Sequence, residues 1–333
     1  MHGDLDGNAA RLWAMAGLGT PMALRVAATL RVADHIVAGK QTAAELAEAS
    51  GAHAATLDRL LRYLTVRGVF EQDEAGRYSL TPLGQPLRED HPARARAWFD
   101  IDGMGWGELS FVELLHSVRT GEAAFPQRYG KPYWDHMADS PVRTASFHEL
   151  HGYDMASRSP GIVTGVNWSS FDHVIDVGGG DGSLLTAILT EHTALRGTVL
   201  DQPDATASAK ETFAEAGIDD RADTVTGSFF DPIPSGADAY LLSLILHDWD
   251  DASAVAILRR CAEAAGKNGR ILVIESIGEG EEKHTGMDLR MLVLYSAKER
   301  GVTEFTELAR QAGLRRTDVY SAGPSAVIEL RVA

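Results

Sequence analysis

The residues Val174-Ile175-Asp176-Val177-Gly178-Gly179-Gly180-Asp181-Gly182 set a short apolar run against a glycine-rich stretch that opens into a helix-like segment. Glycine lets a backbone turn tightly and approach a ligand, and open α/β sheets bind ligands beyond the carboxyl ends of their strands. Recognition of a nucleoside is the chemistry to expect there. A nicotinamide dinucleotide site wants G-x-G-x-x-G, and here the sixth position is Ser183, so that fingerprint fails. Asp201 follows the next apolar run, Gly197-Thr198-Val199-Leu200, where a carboxylate can accept both hydroxyls of a ribose. Asp176, just ahead of the turn, can hold its backbone or face an ammonium group. Farther along, Leu246-His247-Asp248-Trp249-Asp250-Asp251 sets a histidine after the run Ala239-Tyr240-Leu241-Leu242. An imidazole titrates near neutrality and suits a general base.

Such groups need a sheet to hold them. Four apolar runs, Val174–Val177, Gly197–Leu200, Ala239–Leu242 and Ile271–Ile274, alternate with helix-like stretches at about 183–192, 204–216 and 251–265. That alternation implies right-handed βαβ units and a parallel sheet. Arg315 to Val319 and Ala326 to Val332, separated by Ser321-Ala322-Gly323-Pro324, read as a terminal antiparallel hairpin. The first hundred residues differ. Thr42-Ala43-Ala44-Glu45 fits a capping box, and Leu57, Leu60, Leu61 and Leu64 form one helical face. Two short strands then flank Gln72-Asp73-Glu74-Ala75-Gly76, which gives a winged-helix order. Residues 86–170 read as helical and rich in aromatic side chains, most of them core and some fit to line a flat apolar pocket. The expected class is α/β, a parallel sheet ending in an antiparallel hairpin, behind a mainly helical N-terminal domain.

Composition removes other classes. With 31 basic against 47 acidic residues, the net charge of −16 is a poor match to nucleic acid. Within the wing region Arg59, Arg62 and Arg67 are balanced by Asp58, Glu71, Asp73 and Glu74, so a packing or dimerisation module is expected rather than a DNA reader. The single cysteine, Cys261, allows neither an internal disulfide framework nor a thiolate zinc site. No apolar run approaches a membrane span, and Met1-His2-Gly3-Asp4 begins no secretory signal, so a cytoplasmic location is expected.

Taken together, D-V-G-G-G-x-G, the Asp201 that follows, Gly227-Ser228-Phe229-Phe230-Asp231-Pro232 and Leu246-His247-Asp248-Trp249-Asp250-Asp251 resemble the S-adenosylmethionine-dependent small-molecule O-methyltransferases. These include plant caffeate and flavonoid enzymes and bacterial polyketide-tailoring enzymes. The bacterial enzymes that methylate hydroxylated naphthoates or anthracyclines look closest. The resemblance covers nearly the whole chain, winged-helix start included. It implies a Rossmann-like methyltransferase sheet, an N-terminal winged-helix dimerisation domain, and division into residues 1–100 for dimerisation, 101–160 for helices lining a substrate pocket and 161–333 for catalysis. It implies a homodimer and no metal. Gly178, Gly180 and Asp176 would flank the methionine part of S-adenosylmethionine, or of the product S-adenosylhomocysteine. Asp201 would hold the ribose, Ser228 and Phe229 would border the adenine, and Ser243 would contact the cofactor. Many relatives carry Asp at the position of Ser228, and plant members often carry Lys at that of Ser243.

S-adenosylmethionine carries its own electrophile, so a methyltransferase must align an acceptor oxygen and take its proton. A phenol-type oxygen has a pKa near that of tyrosine, about 10. His247 is the candidate base, and the resemblance supplies Glu275 and Glu299 as the acids flanking it. Asp250 and Asp251 are expected to cap the next helix. A magnesium reading of Asp248, Asp250 and Asp251 is disfavoured, because the histidine-base motif accounts for the same residues. Arg290, beside Met291 on a helical stretch, and Arg11, near the N-terminus, are candidates to hold a substrate carboxylate. His148 and Met155 fall in the region resembling the pocket-forming helices. The expected activity is methylation of a phenolic hydroxyl on a small aromatic metabolite. The rivals are N- or C-methylation or cofactor-assisted hydroxylation on the same fold, and a winged-helix regulator with a ligand-sensing domain.

Overall fold

The computed structural model describes residues 7–277 and 285–333, which fall into two compact units divided between Leu109 and Ser110. In the first unit, Thr42 caps the helix Ala43–Ser50: its hydroxyl accepts the Glu45 amide at 3.3 Å, and the Glu45 carboxylate takes the Thr42 amide at 2.9 Å. These hydrogen bonds hold Glu45 down at about 2. Along the helix Ala54–Val66, Leu57, Leu61 and Leu64 are buried while Leu60 is only partly covered. Strands β1 (Phe70–Gln72) and β2 (Tyr78–Leu80) pair antiparallel to make the wing. Tyr78 is buried and donates its hydroxyl to Asp58 at 2.7 Å. Two of the three arginines here are engaged locally. Arg62 pairs with Asp58 at 3.1 Å, and the Arg67 guanidinium lies 3.6 Å over the Tyr63 ring.

The second unit is built on a seven-stranded sheet. Its strands are β3 (His173–Val177), β4 (Arg196–Asp201), β5 (Ala222–Thr226), β6 (Ala239–Ser243), β7 (Arg270–Glu275), β8 (Leu314–Ala322) and β9 (Ser325–Val332). Their order is β5-β4-β3-β6-β7-β9-β8; the first five are parallel and the last two close the sheet antiparallel. Val174, Ile175, Val177, Ala239 to Leu242 and Ile271 to Ile274 are all buried, in two core clusters. Helices cover both faces, which is why these strands read as continuous apolar runs. Strand β5 went unread in the sequence. Its Ala-Asp-Thr-Val-Thr lies at the sheet edge with two exposed positions and needs no apolar run.

Chain order reverses between β3 and β6, so the carboxyl ends of those two strands flank the crevice where such sheets bind ligands. The long helix Pro141–Gly165 packs close to it. A Cβ on Gly152 would stand 2.5 Å from the Asp181 carboxylate, and one on Gly161 would stand 2.6 Å from the Gly323 backbone. Glycine at these positions therefore sets how near the helix comes to the glycine-rich turn and to the β8–β9 turn.

Candidate active site

After β3 the chain turns through Gly178, Gly180 and Gly182, with φ of +77°, +58° and +76°. Those values favour glycine, which takes them without strain. At Gly178 a Cβ would meet Ile245 at 2.5 Å and the Phe229 ring at 3.4 Å, so the side chain is absent where three segments converge. Asp201, at the end of β4, accepts the Gly180 amide through Oδ2 at 2.8 Å, which braces the turn. Asp176 is fully buried, and neither carboxylate oxygen has a hydrogen-bond partner among the described residues. Burial, with Asp201 and Asp181 adding repulsion, pushes it up to about 7. Beyond β5, the Ser228 hydroxyl accepts the Phe230 amide at 3.2 Å, and Phe229 meets Trp249 edge-on at 5.7 Å. Ser243 ends β6 with a buried hydroxyl that likewise has no partner among the described residues.

Leu244 follows in a left-handed conformation at φ +55°, a strained one for a residue with a side chain. The short turn Leu246–Asp248 then presents His247. Its Nδ1 lies 3.3 Å from Glu275 Oε2 and 3.6 Å from Glu299 Oε1, and its Nε2 lies 3.4 Å from Asp248 Oδ1. Glu275, at the end of β7, spends its other oxygen on the Leu246 amide at 3.0 Å. Residues far apart in sequence thus meet at one imidazole. Burial holds His247 neutral, down at about 3, with the cations of Arg158, Arg300 and Arg290 nearby. Burial also pushes Asp248 up to about 8, Glu299 up to about 7 and Glu275 well above the carboxylate range. A neutral imidazole can accept a proton, and a carboxyl group beside it balances the charge that results once it releases its own proton to solvent.

The other singled-out residues divide. Arg290 lies on the helix Thr285–Tyr295, near enough to act electrostatically on both His247 and Asp248. Met291 is buried on the same helix, and Met155 packs partly buried against a core cluster. The side chain of His148 lies outside the described residues. Arg11 belongs to the first unit, exposed on the helix Gly7–Ala16. Asp250 caps the helix Asp251–Ala265 by accepting the Ser253 amide at 2.7 Å. Asp251, expected to share that task, instead binds Arg300 at 2.8 Å. Among the described residues no group of three or more histidine, cysteine or acidic side chains is arranged to hold a metal ion.

Two neighbours of the site, Tyr295 and Arg158, were not read from the sequence, whereas Phe147 and His151 fall in the region resembling the pocket-forming helices and Trp134 among the aromatic side chains expected there. Tyr295 stacks on Trp134 at 5.5 Å, Trp134 meets Phe147 edge-on at 5.4 Å, and Phe147 stacks on His151 at 3.7 Å. This aromatic series ends at His151, which acts electrostatically on His247. Arg158 donates to Ser276 at 2.7 Å and to Asp154 at 2.6 Å, and also faces Glu299. The spacing 151, 155, 158 marks one helix face and was a usable signal.

Residues 111–315 match the model of the O-methyltransferase domain, and residues 13–90 match that of the O-methyltransferase dimerisation domain. The chain is 52% identical over 320 residues to a 2,7-dihydroxy-5-methyl-1-naphthoate 7-O-methyltransferase of Streptomyces carzinostaticus, covering 96% of each chain. It is 40% identical over 319 residues to an aclacinomycin 10-hydroxylase of Streptomyces purpurascens, covering 93% of this chain and 85% of that one. Among solved structures, an O-methyltransferase from neocarzinostatin biosynthesis, in complex with S-adenosylmethionine and 2-hydroxy-5-methyl naphthoic acid, superposes with a TM-score of 0.93 at 52% identity, covering 97% of this chain and 98% of that one. The chain belongs to the S-adenosylmethionine-dependent O-methyltransferases and carries that family's dimerisation domain.

Proposed function

We propose that this enzyme methylates a phenolic hydroxyl of a small aromatic acid of the hydroxynaphthoate kind, with His247 as general base. The observation that carries the reading is the neutral His247 that follows β6 with its Nδ1 facing both Glu275 and Glu299. The 52% identical naphthoate enzyme supports the acceptor class.

The residues present suit S-adenosylmethionine. Asp176 keeps two buried carboxylate oxygens without partners, which a cationic amino group would satisfy. The glycine turn leaves room for backbone approach, and Asp201 stands where ribose hydroxyls would be accepted. Ser228 and Phe229 border the adenine, and Ser243 offers a hydroxyl on the cofactor side. When bound, S-adenosylmethionine supplies a methyl group on a positively charged sulfur. His247 takes the acceptor's proton, and Glu275 and Glu299 stabilise the imidazolium. Such base catalysis contributes roughly 10²–10⁴-fold. Arg290 or Arg11 holds the acceptor carboxylate, while Met291, Met155 and His148 complete an adaptable apolar wall.

The same reading assigns residues 1–100 to homodimer formation, 101–160 to helices beside the acceptor and 161–333 to catalysis. It places the enzyme in the cytoplasm, acting on neither nucleic acid nor membrane. No described helix is long and apolar enough to cross a membrane. The test is mass spectrometry of products from hydroxynaphthoates incubated with the enzyme and S-adenosylmethionine. The expected product gains a methyl group on a phenolic oxygen. A product that gains an oxygen atom, or methylation at nitrogen or carbon only, overturns the reading.

A further inference from the structure

We propose that Arg300 is a positioning residue that locks the His247 turn to the segment carrying Glu299. The inference rests on the reading of His247 as the base. The Arg300 side chain is fully buried, with 0% exposure. Its Nη1 donates to the Leu246 carbonyl at 2.7 Å and its Nη2 to the Trp249 carbonyl at 2.7 Å. Nε and Nη2 both reach Asp251 Oδ1, at 3.0 and 2.8 Å. One guanidinium therefore grips the backbone on both sides of His247 and the first residue of the following helix. Its chain neighbour is Glu299.

Burying a cation is costly unless it is paired and fully hydrogen-bonded, and here its acidic partner, Asp251, is itself half-exposed. A staple for stability alone could be apolar. What a guanidinium adds is direction, because its planar fork aims donors at three acceptors at once. Leu246 is consequently held through both of its flanking peptide groups: Glu275 accepts its N–H and Arg300 donates to its carbonyl. That double grip keeps the imidazole 3.3 Å from Glu275 and 3.6 Å from Glu299, three residues after the strained Leu244. Lysine in place of Arg300 would keep the charge and lose the fork.

The charge acts as well. The groups facing His247 are Asp248 on its own turn, Glu275 on β7, Glu299 and Arg300 on the 297–301 segment, His151 and Arg158 on the helix Pro141–Gly165, and Arg290 on the helix Thr285–Tyr295. Arg300 favours the ionised form of Glu299 and the neutral form of His247. The two contributions, direction and charge, separate by substitution.

In Arg300→Lys, S-adenosylhomocysteine affinity by calorimetry should stay within about threefold, while kcat falls ~10–100-fold from misplaced reacting groups. The acid limb of the kcat profile should not move. In Arg300→Gln, kcat should fall similarly and the acid limb should shift to higher pH. Should neither variant fold, Asp251→Asn leaves Arg300 in place and removes its paired charge, and a smaller loss of kcat, about 3–10-fold, is expected. Unchanged kcat in Arg300→Lys, or a loss that tracks only the folded fraction, overturns the proposal. The ¹⁵N resonances of the His247 ring, in protein bound to S-adenosylhomocysteine, read the same positioning without an acceptor. If the wild type methylates no hydroxynaphthoate, the acceptor reading fails on its own, and an unshifted His247 resonance in Arg300→Lys still rejects the role of Arg300.

Discussion

The turn after β3 and the turn after β6 stand at adjacent strand ends, but they are made from different materials. The first is shaped by backbone: three glycines at positive φ, braced by one carboxylate from the next strand. Everything that builds it lies within about one βαβ unit. The second is shaped by buried charge. His247, Glu275 and Glu299 come from a loop, a strand end and a segment ahead of a helix, and Leu246, next to the histidine, is tied by one hydrogen bond to Glu275 and by one to Arg300. Backbone shape can be specified locally, whereas a cluster of buried ionisable groups has to be assembled by the whole sheet. Damage to the first side should thus appear as lost affinity, and damage to the second as lost turnover.

The largest effect expected is on the base. His247→Ala should lose about 10²–10⁴ in kcat while binding S-adenosylhomocysteine as the wild type does. Retained turnover would remove His247 from the chemistry and dissolve the contrast. A smaller loss is expected on the other side. A Cβ on Gly182 would stand 2.7 Å from the buried Phe213 ring, at a φ of +76°. Gly182→Val should weaken cofactor binding by about tenfold, as expected for strain of 1–2 kcal/mol, with kcat at saturation nearly unchanged. A fall in kcat without loss of affinity would show that the two turns do not divide the work this way.

The smallest effect is on stability. Asp176 and Glu299 are pushed up to about 7 and Asp248 up to about 8, with Glu275 also raised. Between the unfolded carboxylate pKa near 4 and those values, the folded protein binds more protons than the unfolded chain. Stability from these groups is therefore full below about pH 4 and is lost as pH rises through about 7 to 8. His247, pushed down to about 3, contributes with the opposite sign, but its share is complete above its ordinary value near 6.5. Differential scanning calorimetry of the ligand-free protein should show the melting temperature falling by a few degrees from about pH 6.5 to 8. A melting temperature that stays flat over that range would mean that these carboxyls are already ionised in the fold.

The same contrast explains what could be read in advance. The capping box at Thr42, the wing, the parallel strands and the glycine turn were legible because each is written in neighbouring residues. The helix boundaries at Ser183–Glu191, Pro203–Ala216 and Asp251–Ala265 fall within a residue of the expected ones. Strand β5 was not legible, since an exposed edge imposes no apolar pattern. On the base side, His247, Glu275 and Glu299 were found through the family resemblance, and the structure brings all three together. Arg158, Arg300 and the stack of Tyr295 on Trp134 were not found. Nothing local distinguishes a buried arginine from a surface one, and Asp251 looked like a helix cap because its partner lies 49 residues away.

Leu244 carries a consequence for engineering. Its left-handed backbone costs on the order of 1–2 kcal/mol that glycine would not incur. A selection that rewards heat resistance alone will therefore find glycine at this position attractive. The same exchange gives the backbone more freedom three residues ahead of His247. Laboratory evolution of a hardier enzyme is thus set against the proposed base at one residue, and libraries screened for both properties should keep leucine there.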